Sequence, residues 1–131
     1  MNRYLLVPLL LLPSGMAAQG SRSMACDSAA TTIDMRRCAS QTLEQAKHDL
    51  SRYLEEARRA TAKRALLDSA QTAWEHYREI TCRAAGAEYE GGTMKPLVVL
   101  NCLLDLTRRR LHEVYDHYLR TSDTTLPEPK P

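Results

Sequence analysis

From Ile33 onward, apolar residues return at intervals of three and four along the chain: Cys38, Leu43, Ala46, Leu50, Tyr53, Leu54 and Ala57. Glu44, Lys47, Arg52, Glu55 and Glu56 fill the other faces. That spacing predicts a long amphipathic helix. Thr31 or Thr32 suits its N-cap, with Asp34 in the first turn, where a negative charge is favoured. The stripe is interrupted at Lys63 and Arg64, so a tight turn is expected over residues 59–64. The alternative is a single unbroken helix of more than fifty residues, which could bury its stripe only by dimerising.

A second helix is expected over residues 65–87, with Leu66, Leu67, Ala70, Trp74, Tyr77, Ile80 (with Thr81) and Ala84 turned inward. Trp74 and Tyr77 would bring the largest apolar surface to that face. Gly86 suits the end of this helix. Gly91 and Gly92 permit a turn, and Pro96 suits the first turn of a third helix. That helix begins apolar all round over residues 97–100. It continues its stripe through Cys102, Leu103, Leu106, Arg110 or Leu111, Val114 and Tyr118. Residues 121–131 hold three prolines and no periodicity, and are read as a disordered tail. The fold class is therefore all-α: a small up-down-up bundle of three main helices, stapled at one end by two disulfides. Between Ser21 and Ala85 there is neither glycine nor proline, which leaves no turns for a β-protein.

The N-terminal stretch changes the compartment. Arg3, an apolar run over residues 5–12 and the small pair Ala17 and Ala18 read as a secretory signal, cleaved after residue 18 and too short to anchor in a bilayer. Lipidation at Cys26 is the rival reading. Ser23 sits where a lipobox has leucine, and Cys26 lies far beyond the apolar run. The mature chain is expected in the periplasm or outside the cell, with no membrane span.

An exported chain with four cysteines is expected to form two disulfides. Three pairings are possible. Two points favour local ones: Cys26 precedes a helix start and can fold back on Cys38, and Cys82 and Cys102 flank the glycine loop. Twelve residues of straight helix would hold Cys26 and Cys38 about 18 Å apart, so the chain must turn between them.

Charge and chemistry exclude more than they assign. The net charge is +2, and removing Arg3 with the leader leaves 17 basic against 16 acidic residues, or +1. Nucleic-acid binding would need a basic face; Arg108, Arg109 and Arg110 point in three directions and read as solvated surface. His112 with Asp116, and Glu113 with His117, are pairs rather than metal sites. His76 beside Glu75 and Glu79 has neither nucleophile nor oxyanion loop. The reading is a non-enzyme with no catalytic residue, no metal and no cofactor.

Gln71-x-x-Trp74-x-x-Tyr77-Arg78-x-x-x-Cys82, then Tyr89-x-Gly91-Gly92-Thr93-x-x-Pro96, then Cys102-x-x-x-Leu106-Thr107-x-x-Arg110 resemble the LprI-type lysozyme-inhibitor domain. The likeness covers about residues 26–118, and Cys26 and Cys38 fit its opening. It implies an exported, helical, disulfide-bonded domain over residues 19–120. It assigns structural roles to Gln71, Trp74, Tyr77, Arg78, Leu106, Thr107 and Arg110, and implies a protein partner, a lysozyme. The loop bearing Glu88, Tyr89, Glu90, Gly91, Gly92, Thr93 and Lys95 is the candidate partner-binding element. Arg78 is expected to tie that loop to the helix ends. The alternative is a periplasmic interaction or immunity protein with another target. A monomer is favoured over a dimer.

Overall fold

A computed structural model describes residues 26–130. The proposed signal sequence lies outside them. A short 3-10 turn, Cys26–Ser28, leads into α1 (Thr32–Ala60), followed by α2 (Arg64–Ala87) and α3 (Lys95–Val114). The axis of α3 continues through a wider π-helical turn, Tyr115–Leu119. Among the described residues there is no strand.

Local chemistry explains each boundary. The Thr31 side chain accepts from the Asp34 amide at 3.1 Å and donates to the Asp34 carboxylate at 2.7 Å, capping α1. The turn after α1 needs no glycine or proline. Thr61 is extended, its hydroxyl accepts from the Lys63 amide at 3.1 Å, and Arg64 Nε donates to the Arg58 carbonyl at 2.9 Å. An arginine thus satisfies a carbonyl that the ending helix leaves open. Arg58 and Asp68 then pair across the turn at 2.6 Å. The unbroken-helix alternative is thereby removed. Pro96 occupies the first turn of α3, where a missing N–H costs no helical hydrogen bond.

The third helix packs against both α1 and α2. Leu50, Tyr53, Leu54 and Ala57 of α1 meet Leu67, Val114 and Leu119, with Trp74, Leu111, Tyr115 and Tyr118 at the edge. Two disulfides are formed, Cys26–Cys38 and Cys82–Cys102. The first folds the 3-10 turn back on α1; the second joins the end of α2 to the start of α3. Both lie at one end of the bundle, where Ile33, Arg36 and Ser40 of α1 share a hollow with Leu100 of α3.

Several expected inward positions face solvent. Ile33 is exposed, and on α2 Leu66, Tyr77 and Ile80 are 71%, 55% and 48% exposed. The buried line of α2 is instead Leu67, Gln71, Cys82 and Gly86, with Trp74 and Arg78 half-buried beside them. Gly86 lies in the last turn of α2, as expected, but it is buried there. A Cβ there would come within 2.5 Å of Val99 Cγ2, so the glycine lets α2 and α3 close up beside their disulfide.

The tail also departs from expectation. Residues 121–130 have no regular structure, yet they turn back along the bundle rather than leaving it. Leu126 packs on the core, Pro129 is buried, and Tyr53 Oη donates to the Pro127 carbonyl at 2.6 Å. Periodicity has nothing to say about such a segment, because it is held by the groove beneath it.

Candidate functional site

Two regions collect the residues singled out above. The first is a polar seam between α2 and α3. The spacing of Gln71, Trp74, Arg78 and Cys82 aligns them along α2. The Arg78 guanidinium lies 4.8 Å from the Trp74 ring centroid and that of Arg110 lies 5.9 Å from it, so two cations flank one indole. Arg110 Nε donates to Gln71 Oε1 at 3.2 Å, and Gln71 Nε2 donates to Glu75 Oε1 at 3.0 Å. The amide orientation follows from its neighbours, because a guanidinium only donates and a carboxylate only accepts. Arg110 Nη1 also reaches Glu113 at 3.1 Å. Arg78 Nη1 donates to Thr107 Oγ1 at 3.2 Å, and that hydroxyl donates to the Leu103 carbonyl at 2.6 Å.

Thr107 is completely buried and Gln71 nearly so. Chemically the seam is a rivet. Gln71, Arg110 and Thr107 find their partners within it, while Arg78 Nε is buried there without one. Two expectations change here. Arg110 is not part of a solvated run, since its side chain is only 14% exposed. Arg78 does not tie the loop to the helix ends; it crosses to the middle of α3. Tyr77 lies outside the seam, while Leu106 is half-buried in α3.

The second region is the loop between α2 and α3. Its backbone closes in successive turns: Tyr89 N to Gly86 O, Glu90 N to Ala87 O, and Gly92 N to Tyr89 O, at 3.0–3.2 Å. Gly91 has φ +74°, which a side chain rarely tolerates. Glu88, Tyr89, Glu90, Gly91, Gly92 and Thr93 are all exposed, and Lys95 is half-buried. Lys95 Nζ is paired with Glu90, and that hydrogen bond holds the Glu90 carboxyl below its ordinary range. Met94, absent from the residues singled out by sequence, is exposed beside them. The Cys82–Cys102 bridge and the close approach at Gly86 fix both flanks.

Leading into this loop is an outward stripe on α2: Leu66, Ala70, Ala73, Tyr77, Ile80 and Ala84, all exposed. Its alternating steps of four and three form a continuous apolar line. The spacing was visible in the sequence; its outward direction was not. Among the described residues no helix is long and apolar enough to cross a membrane. None of their His, Cys, Asp or Glu side chains gather in a group of three suited to a metal ion.

Comparison with known proteins adds a family. The model of the family described as lysozyme inhibitor LprI matches residues 23–114, which include both disulfides, the seam and the loop. An uncharacterized protein of Rhizobium meliloti (strain 1021) is 35% identical over 104 residues, covering 68% of this chain and 75% of the relative. No solved structure matches.

Proposed function

This chain belongs to the LprI lysozyme-inhibitor family, and from that premise we propose that it is an exported binding protein that inhibits a lysozyme or another peptidoglycan hydrolase. The disulfides support an oxidising, extracytoplasmic location, periplasmic or secreted. Cys26 is engaged with Cys38, which argues against a lipid on that sulfur.

The observation that carries the reading is the rigid, exposed loop at the disulfide end of a family-matched domain. A clamped loop loses little conformational freedom on binding, which favours affinity. Tyr89 and Met94 supply exposed aromatic and thioether groups of the kind enriched at interfaces, and Glu88 supplies charge for a basic enzyme surface. Glu90 holds Lys95 in the loop, so Lys95 reaches a partner's carboxylates only by breaking that pair. The outward stripe through Tyr77 and Ile80 extends the contact face along α2.

Turbidity loss of a peptidoglycan suspension, followed with several purified lysozymes, tests the reading. Lysis should slow at near-stoichiometric protein, and Tyr89→Ala should weaken inhibition about tenfold without lowering the melting temperature. Unchanged lysis at large molar excess for every lysozyme and peptidoglycan hydrolase tried would remove the proposal.

A further inference from the structure

The C-terminal segment lies outside the family-matched residues and is held in a way that resembles a bound peptide. Leu126 inserts against the core cluster, and Pro129 is buried three positions later. The hydrogen bonds from the bundle meet backbone carbonyls of the tail: Tyr53 Oη donates to Pro127 O at 2.6 Å, and His112 Nε2 lies 3.2 Å from Lys130 O. Prolines at alternate positions stiffen the segment and remove N–H donors that would otherwise need partners. A hydrophobic plug, a proline-stiffened backbone and carbonyls met by a tyrosine hydroxyl match the way aromatic-lined grooves take proline-rich peptides. The groove is only partly filled: a cavity of about 400 Å³ remains beside the tail, bordered by Ala46, Asp49, Arg52, Arg108 and Leu111.

We propose that the face between α1 and α3 is a docking groove for an extended Leu-Pro-x-Pro segment of a partner protein, and that the chain's own C terminus keeps it closed. The connection over residues 121–125 contains no proline, and every one of its residues holds a hydroxyl or an acid. It can swing away without disturbing the helices. A tethered tail competes at an effective concentration of about millimolar. A tail whose own dissociation constant for the groove is about 100 μM would therefore weaken an incoming peptide roughly tenfold relative to an opened chain.

The test uses a fluorescein-labelled synthetic peptide, Thr-Thr-Leu-Pro-Glu-Pro-Lys-Pro, read by fluorescence anisotropy. A chain ending at Thr125 should bind it saturably. The full-length chain should bind it at least about tenfold more weakly, and a peptide with serine in place of leucine should lose binding to both. No binding to the folded shortened chain up to about 1 mM, or equal binding to both chains, overturns the proposal. Should the shortened chain not fold, a protease site placed within residues 121–123 allows the tail to be cut after folding. Retention of the cut segment, or its saturable return when added back, supports the groove. Its loss from a body that stays folded, with no return, overturns it.

Discussion

Thr107→Val separates the two ways in which α2 could be fastened to α3. Valine matches threonine in shape, so it leaves no cavity in a site where the side chain is completely buried. It removes the hydroxyl that accepts from Arg78 Nη1 at 3.2 Å. Arg78 Nε is already buried without a partner, so the guanidinium has little left to replace the lost acceptor. A hydrogen bond to a charged group contributes about 1.5–3 kcal/mol, and burying a methyl in place of a hydroxyl offsets part of that. The expected cost is about 2 kcal/mol. Thr107→Ser keeps the hydroxyl and loses one methyl, which costs about 1 kcal/mol. In a domain of this size each kcal/mol moves the melting temperature by about 4–8 °C. The valine variant should therefore melt about 8–16 °C below the parent, and the serine variant about 4–8 °C below it. Thermal unfolding followed by circular dichroism reads both. A double-mutant cycle with Arg78→Met isolates the pair, and a coupling of at least about 1 kcal/mol is expected. If the valine variant proves as stable as the serine variant, the contact is held by shape alone and the rivet description fails.

Three other outcomes follow from the geometry. Gly86→Ala should cost about 1–3 kcal/mol by forcing Val99 aside, and adding Val99→Ala should restore part of it in urea unfolding. Replacing Cys82 and Cys102 by alanine should cost about 3 kcal/mol from loop closure alone over a sequence separation of 20, with a further loss because Cys82 is fully buried. Burial pushes the Tyr53 hydroxyl above its ordinary value of 10.0. The folded state therefore holds this proton more tightly than the unfolded chain does. Its contribution is intact below pH 10 and is lost as pH rises through the higher folded value. The difference in urea midpoint between the parent and Tyr53→Phe should hold up to about pH 10 and shrink above it; a difference that stays constant above pH 10 would contradict the burial of that hydroxyl.

The sequence by itself determined the elements and their ends. Steps of three and four between apolar residues, the Thr31 cap, the interrupted stripe near Lys63 and Pro96 after the glycines are local signals, and a helix is a local structure. Cysteine placement favoured the pairings found without excluding the other two sets, because each pair flanks a place where the chain must turn. Tertiary structure decided which side of α2 faces inward. Two stripes run side by side there, one through Leu67, Gln71, Trp74 and Arg78, the other through Leu66, Tyr77 and Ile80. Hydropathy ranks the second higher. The first is buried because α3 brings Thr107 and Arg110 opposite it, and a polar side chain enters an interior only where its partners wait. The seat of the C-terminal segment has the same origin: Leu126, Pro127 and Pro129 have no periodicity to read, and their place is set by a groove that exists only once α1 and α3 are together.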